Sequence, residues 1–398
     1  RGYDRIIVAE PAAYKTIMAA CPETISYDKA VTYLATFAAQ FEGVENADVI
    51  IDNVSNDSAA AVNALLRAGK TVAMITEGDE KGNFICSYED FLTIAKDYVI
   101  TATGVYGANY KAAVILNPLV FLPGKPANNT SGYVETTLRS GSYNYRFDWL
   151  ALTAMGFTMT EDLSKANVIV GSQKLSDEAL GAVKAGTPYM AYGATAFMGE
   201  GNFLLGLGVK LDSCTMGTDF LGRVVYPSNT LVNASYINEA DDVMYEYGTN
   251  WFTKIPEGAT VLVQNAGKAP LQGCICLTDD ELTEEFNQYN NGVVGFEYQS
   301  GKLDMALFAN VLNHKIHQTD EYTFISNFIF SRSLTETAYE GVAQPENPDP
   351  VNPGKPEEPG KPDAPKTGDT SSIIVWVLAA SFTVVMIPMT VTLKRKAR

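Results

Sequence analysis

The chain has 398 residues and is acidic, with 46 Asp and Glu against 29 Lys and Arg, a formal net charge of −17 and only two histidines. An acidic chain is repelled by nucleic acid and by anionic wall polymers, which excludes polyanions as expected partners. Apolar residues make up 46%, normal for a globular protein with a sizeable core, and the length suits two ordinary domains ahead of a distinct tail.

Short β-rich runs alternate with helix-like segments, which predicts an α/β fold of mostly parallel sheets covered by helices. In chain order, strands are expected at 5–8, 48–52, 71–75, 114–122, 167–170, 188–192, 260–263 and 303–308. Helices are expected at 27–41, 58–68, 147–155, 176–185, 279–289 and 322–331. Ser58 and Ser176 suit N-caps, since a hydroxyl there accepts from an otherwise orphaned amide, and Gly69 and Gly186 sit where those helices should stop.

These two helices lie in an internal repeat. Ala47-Asp48-Val49-Ile50-Ile51 followed by a helix ending at Ala68-Gly69 aligns with Ala166-Asn167-Val168-Ile169-Val170 followed by a helix ending at Ala185-Gly186. In both copies the next strand starts at once. A βαβ unit written twice predicts tandem flavodoxin-like domains over 1–124 and 133–341, divided by the turn-rich segment 123–132.

The five cysteines, Cys21, Cys86, Cys214, Cys274 and Cys276, form no even framework and read as core residues. Cys274 and Cys276 share a strand face but lack a second ligand pair for zinc. The glycine-rich stretch 199–208 lacks dinucleotide-loop spacing and reads as a mobile loop, while Asp241-Asp242 and the acids of 278–281 lack EF-hand spacing. Tyr143, Tyr145, Phe147 and Trp149 alternate like an aromatic face for sugar rings, a pattern that a buried strand or helix edge explains as simply.

From 342 to 363 the composition turns to repeated Pro with Glu, Asn, Asp, Gly and Lys. Such a stretch cannot bury a core, and its prolines hold it extended, so a disordered, semi-rigid stalk through the cell wall is expected. Ala364-Pro365-Lys366-Thr367-Gly368 follows, then an apolar run over 373–393 and a basic end, Lys394-Arg395-Lys396-Ala397-Arg398. About 20 apolar residues cross a bilayer as one transmembrane helix, with the bases on the cytoplasmic side. This order of parts resembles the sorting signal of Gram-positive surface proteins. The resemblance implies sortase cleavage between Thr367 and Gly368 and attachment to peptidoglycan, although Ala364 stands where that motif usually has Leu. It implies a cell-surface location, anchored in wall or plasma membrane. The opening Arg1-Gly2-Tyr3 has neither an initiator Met nor a signal peptide, so the chain reads as the carboxyl-terminal piece of a longer exported protein.

Residues 166–193, and Gly301-Lys302-Leu303-Asp304-Met305-Ala306-Leu307-Phe308 with the helix after His317, resemble the class I glutamine amidotransferase-like domain. The version most resembled is the inactive copy appended to large bacterial zinc carboxypeptidases of the carboxypeptidase A type. Ala68-Gly69-Lys70-Thr71-Val72-Ala73 and the segment from Gly82 to Phe91 resemble the link between peptidase and appendage in those proteins.

A working amidotransferase needs a Cys on a strand-to-helix turn and a His-x-Glu pair, because a thiolate needs an imidazole beside it to form and attack. The turn after 188–192 reads Gly193-Ala194-Thr195-Ala196-Phe197, and neither His314 nor His317 is followed at the second position by Glu. The His-x-x-Glu and later His of the zinc peptidases are missing too, and His314 and His317 read as a surface or loop pair. No catalytic, cofactor-binding or metal residue is therefore expected in this chain. The resemblance implies a non-catalytic carboxyl-terminal region of a surface-anchored zinc metallocarboxypeptidase, with zinc and peptide substrate belonging to a catalytic domain before Arg1. The alternative is a wall-anchored binding module for glycan or protein without enzymatic activity. An open face around 193–203 is a third place for a small-molecule site.

Overall fold

A computed structural model describes residues 39–124, 143–197, 201–213, 219–237, 242–267, 271–273, 284, 287–314 and 319–345. The expected strand at 5–8, most of the helices at 27–41 and 279–289, the segment 278–281, Cys21, Cys214, Cys274, Cys276, His317, residues 346–363 of the stalk, Thr367, Gly368 and the apolar run 373–393 lie outside the described residues. No described helix is long and apolar enough to cross a membrane.

The strands of the smaller sheet are β1 (Gln40–Gly43), β2 (Asp48–Ile51), β3 (Val72–Ile75), β4 (Phe84–Ser87), β5 (Thr101–Val105), β6 (Ala112–Ile115) and, from the end of the globular part, β19 (Leu334–Ala338). Their order is β1-β5-β2-β4-β3-β6-β19. Only β1 and β5 run parallel, so the expectation of a mostly parallel first sheet is corrected. The helix α1 (Asn56–Arg67) does link β2 to β3, but β4 enters between them and pairs antiparallel with both. The repeat is thus local. It fixes strand, helix and strand, while the return strand Phe84–Ser87, followed at once by α2 (Tyr88–Ile94), decides the pairing.

The larger sheet contains β7 (Leu119–Phe121), β8 (Thr158–Thr160), β9 (Val168–Gly171), β10 (Tyr189–Tyr192), β11 (Lys210–Ser213), β12 (Asp219–Val225), β13 (Val243–Tyr247), β14 (Asn250–Lys254), β15 (Thr260–Asn265), β16 (Gln272–Gly273), β17 (Val293–Ser300) and β18 (Leu303–Phe308). Its parallel half runs β8-β7-β9-β10-β18, which counted along the chain is 2-1-3-4-5, the doubly wound flavodoxin-like order. β17 joins β18 antiparallel through a tight return at Gly301, whose φ is 61°. Its Gly295 must lack a side chain, since a Cβ there would stand 2.6 Å from the Phe308 ring.

α3 (Tyr143–Ala154), α4 (Asp177–Ala185) and α7 (Tyr322–Ser331) complete the layers. One core lies between the sheets, where Val49, Ile51 and Phe84 of the smaller sheet join Val168, Met190 and Phe308 of the larger around Leu65, Leu152, Phe328 and Phe330. The Phe330 ring meets Phe84 at 5.0 Å and Phe157 at 5.0 Å. A second core covers the other face of the larger sheet under α4. The strands do not sort at the 124/133 boundary: β7 precedes it yet belongs to the larger sheet, and β19 follows it yet closes the smaller. The single strand expected at 114–122 is accordingly two, separated near Pro118 and placed in different sheets.

Local chemistry fits the remaining elements. Ser176 caps α4, accepting from the Ala179 amide at 3.2 Å, and Gly186 ends it at φ 119°. In α1 the cap is Ser55, not Ser58; Ser58 lies inside the helix, and its hydroxyl donates to the Asp52 carbonyl at 2.6 Å. The described part of the expected 27–41 helix ends in β1 instead.

Candidate functional site

In a doubly wound sheet the site chemistry collects outside the carboxyl ends of the strands, beside the point where strand order reverses. That point lies between β7 and β9. It is filled by the protein's own side chains: a Cβ on Gly171 would meet the Asp148 carboxylate at 3.1 Å and the Pro123 ring at 3.2 Å.

Asp148, on α3, is fully buried. Its Oδ2 accepts from the Ser172 amide at 2.9 Å and the Ser172 hydroxyl at 2.8 Å; its Oδ1 accepts from the Tyr192 hydroxyl at 2.9 Å and Asn313 Nδ2 at 2.7 Å. Burial pushes the Asp148 carboxyl above the usual carboxylate range, against the pull of those donors, and pushes the Tyr192 phenol well up. Four elements thus meet on one carboxylate: α3, the ends of β9 and β10, and the loop after β18. It is a tie between elements, closed to solvent.

Beyond Tyr192 the chain makes the elbow on which an amidotransferase-like fold would carry its nucleophile. Gly193 has φ 82°, in the left-handed region, and a Cβ there would stand 2.5 Å from Val311 Cγ2. The short helix α5 (Ala194–Phe197) follows, with Ala194 and Thr195 exposed. The elbow has the shape but carries a methyl and a hydroxyl at its tip.

His314 lies in the loop after β18, as the loop half of the expectation had it, but it is not at the surface, which corrects the other half. It is 1% exposed and stacks on the Tyr247 ring at 3.6 Å and 12°, with Phe147 set against its edge at 6.2 Å. Two further buried acids that sequence reasoning missed lie at β13, Glu321 on the face of Tyr245 and Glu246 on the opposite face. Glu321 accepts from the Tyr245 amide at 2.8 Å, and burial pushes it up to about 8; Glu246, facing Tyr289, is pushed up to about 8 for the same reason. The signal available in sequence was only an acid within an aromatic strand, Tyr245-Glu246-Tyr247. Among the described residues no group of three or more His, Cys, Asp or Glu is placed to hold a metal ion.

Other sequence signals resolve locally. Tyr145 and Phe147 are buried on α3, so the alternating aromatics do not form an open face for sugar rings. The glycine-rich stretch contains α6 (Gly201–Gly206) and turns at Gly208, φ 87°. Asp242 accepts from the Tyr226 hydroxyl, and Cys86 is a buried thiol pushed up to about 12 by its apolar surroundings.

No known family profile matches the chain, and no curated protein matches it. Solved structures similar to it include a glutamine amidotransferase from Thermotoga maritima (9% identity, 55% of this chain and 98% of that one, TM-score 0.31). A glutamine amidotransferase from Methylobacillus flagellatus shares 10% identity over 57% of this chain and 100% of its own, with a TM-score of 0.24. A β-galactosidase from Bacillus circulans sp. alkalophilus shares 12% identity over 56% of this chain and 32% of its own, with a TM-score of 0.34. At these values the likenesses carry no assignment of family or activity.

Proposed function

We propose that this chain is the non-catalytic carboxyl-terminal region of a surface-anchored bacterial zinc carboxypeptidase, whose amidotransferase-like layers support or position a peptidase encoded before Arg1. The observation that carries the reading is the elbow after β10. Its shape is kept, Ala194 and Thr195 stand at its tip, and the crevice beside it is filled by Asp148 and Pro123. A hydroxyl with no base to take its proton is a poor nucleophile, so an elbow of this kind serves packing. The motif resemblances at 68–73, 82–91, 166–193 and 301–333 support the peptidase parentage. The Pro-Lys-Thr-Gly sequence, apolar run and basic end support processing by a sortase between Thr367 and Gly368, peptidoglycan attachment and a membrane span over 373–393. Zinc and peptide chemistry belong to the peptidase; the described residues of this chain offer no ligand cluster that fits the ion.

A direct test of the non-catalytic part is ammonia release from glutamine by the full chain and by Thr195→Ala. The expected rates are equal and at background. A rate above background that Thr195→Ala abolishes would overturn it.

A further inference from the structure

At the same end of the larger sheet as the elbow, but beyond β18, a cavity of about 510 Å³ opens between β11, β14 and the turn that leads into β17. Its place follows from register: Gly295 lies opposite Phe308, the last residue of β18, so Gly292 and the turn before it project past the carboxyl end of that strand. The lining is Asp212, Trp251, Phe252, Thr253, Gln288, Asn290, Asn291 and Gly292. A volume within about 300–1,000 Å³ is that of a small-ligand site.

The walls are held in advance. The Gly292 amide donates to the Tyr289 carbonyl at 2.9 Å, its carbonyl accepts from the Asn265 amide at 2.9 Å, and Asn265 Nδ2 donates to the Tyr289 carbonyl at 3.1 Å. Gln264 Nε2 pins the Asn291 carbonyl at 2.7 Å, while Asn291 itself sits at φ 65°. A Cβ on Gly292 would stand 2.9 Å from Trp251, so glycine lets the indole pack beneath the turn, and Tyr289 meets that indole edge-on at 6.2 Å. A rim fixed in this way spends little ordering entropy on binding.

The chemistry of the lining selects the ligand. Trp251 and Phe252 follow each other on β14, so their side chains face opposite sides, and both are nearly buried, which leaves the lining mostly polar; the three carboxamides and Thr253 give neutral donors and acceptors, and Asn290 Oδ1 is buried without a hydrogen-bond partner. Among the described residues of the lining Asp212 is the single charged one, and it is an acid on a chain of net charge −17. No described lining residue offers a cation to a phosphate, sulfate or carboxylate, and the overall charge repels them. A cleft ringed by carboxamides, a hydroxyl and one carboxylate matches an uncharged molecule with neighbouring hydroxyls. We propose that this cavity is a binding site for a neutral saccharide, with Asp212 and Gln288 hydrogen-bonded to ring hydroxyls.

The proposal stands whether or not a peptidase precedes the chain. It is tested by saturation-transfer NMR on the full chain with maltose, lactose and N,N′-diacetylchitobiose, and with glucuronate and trialanine as competitors of other chemistry. At least one neutral disaccharide is expected to saturate, and Asp212→Ala and Gln288→Ala, both exposed positions, to weaken it at least about tenfold without lowering the melting temperature. The proposal is overturned if none of the three saturates by about 50 mM, if both variants bind as the parent does, or if glucuronate or trialanine is preferred.

Discussion

Glu246 is the residue whose environment speaks most directly through pH. Its carboxyl is buried and raised from 4.5 to about 8, first by desolvation, with the Tyr289 hydroxyl pulling the other way. Between those values the folded chain holds a proton that the unfolded chain has released, so this group makes stability fall as pH rises through that window. Glu246→Gln, permanently neutral, is expected to match the parent near pH 4.5 and to exceed it by up to about 1.4 kcal/mol for each pH unit above that until about pH 8. Urea unfolding at pH 5 and pH 8 measures this, and an equal gain at both would refute it. Asp148 behaves differently, because four donors converge on its carboxylate, although Asn313 Nδ2 also reaches the Tyr192 hydroxyl at 3.2 Å. Asp148→Ala strands them in the core and is expected to cost about 3 kcal/mol, read as a lower urea midpoint.

Among the elements, one guanidinium ties the end of α7 to the larger sheet beside their shared apolar core. Arg332, at the end of α7, pairs with Glu297 at 2.6 Å and with Asp304 at 2.9 Å, and lies over the Phe328 ring at 4.8 Å. The group is mostly buried, so removing the cation leaves two carboxylates facing each other. Arg332→Ala is expected to destabilise by about 3 kcal/mol, and Arg332→Lys to recover only part of it, because a single ammonium cannot span both acids as the planar fork does. Full recovery by Lys would contradict that geometry. Elements of this kind were readable in sequence where one periodicity ruled: α7 and β18 have the expected bounds, and Ser176 and Gly186 mark α4 at both ends. The antiparallel partners were not. The run Phe84–Ser87 is too short and apolar to announce its direction, and its insertion between β2 and β3 is a tertiary choice that no βαβ pattern encodes. The elbow was legible from Pro188 to Phe197, whereas Asp148, Glu246 and the cavity at Trp251 depend on contacts between segments far apart in the chain.

For the whole globular unit, the shared core predicts shared stability. The chain returns to its beginning through Asp48, whose carboxylate accepts from the Tyr339 hydroxyl at 2.8 Å, the Gly107 amide at 3.1 Å and the Val342 amide at 2.5 Å. Asn53 Nδ2 donates to Asn327 Oδ1 at 2.5 Å, tying the loop after β2 to α7. With Phe84 and Phe330 in contact across the layers, the two sheets are expected to unfold in one transition, and Asp48→Ala to lower that single midpoint without splitting it. Two separate transitions in the parent, followed by tryptophan fluorescence and circular dichroism, would contradict a common core.

The proposed role for this unit, joined through 342–363 to the proposed anchor, is support of a peptidase. The most direct measurement of that role uses the complete parent protein, assayed for release of carboxyl-terminal residues from peptides, with and without a zinc chelator and with residues 39–345 deleted. The account predicts chelator-sensitive release that persists per folded molecule after the deletion, together with lower stability or surface retention. No release from the parent, or release that requires residues within 39–345 for chemistry, would contradict it.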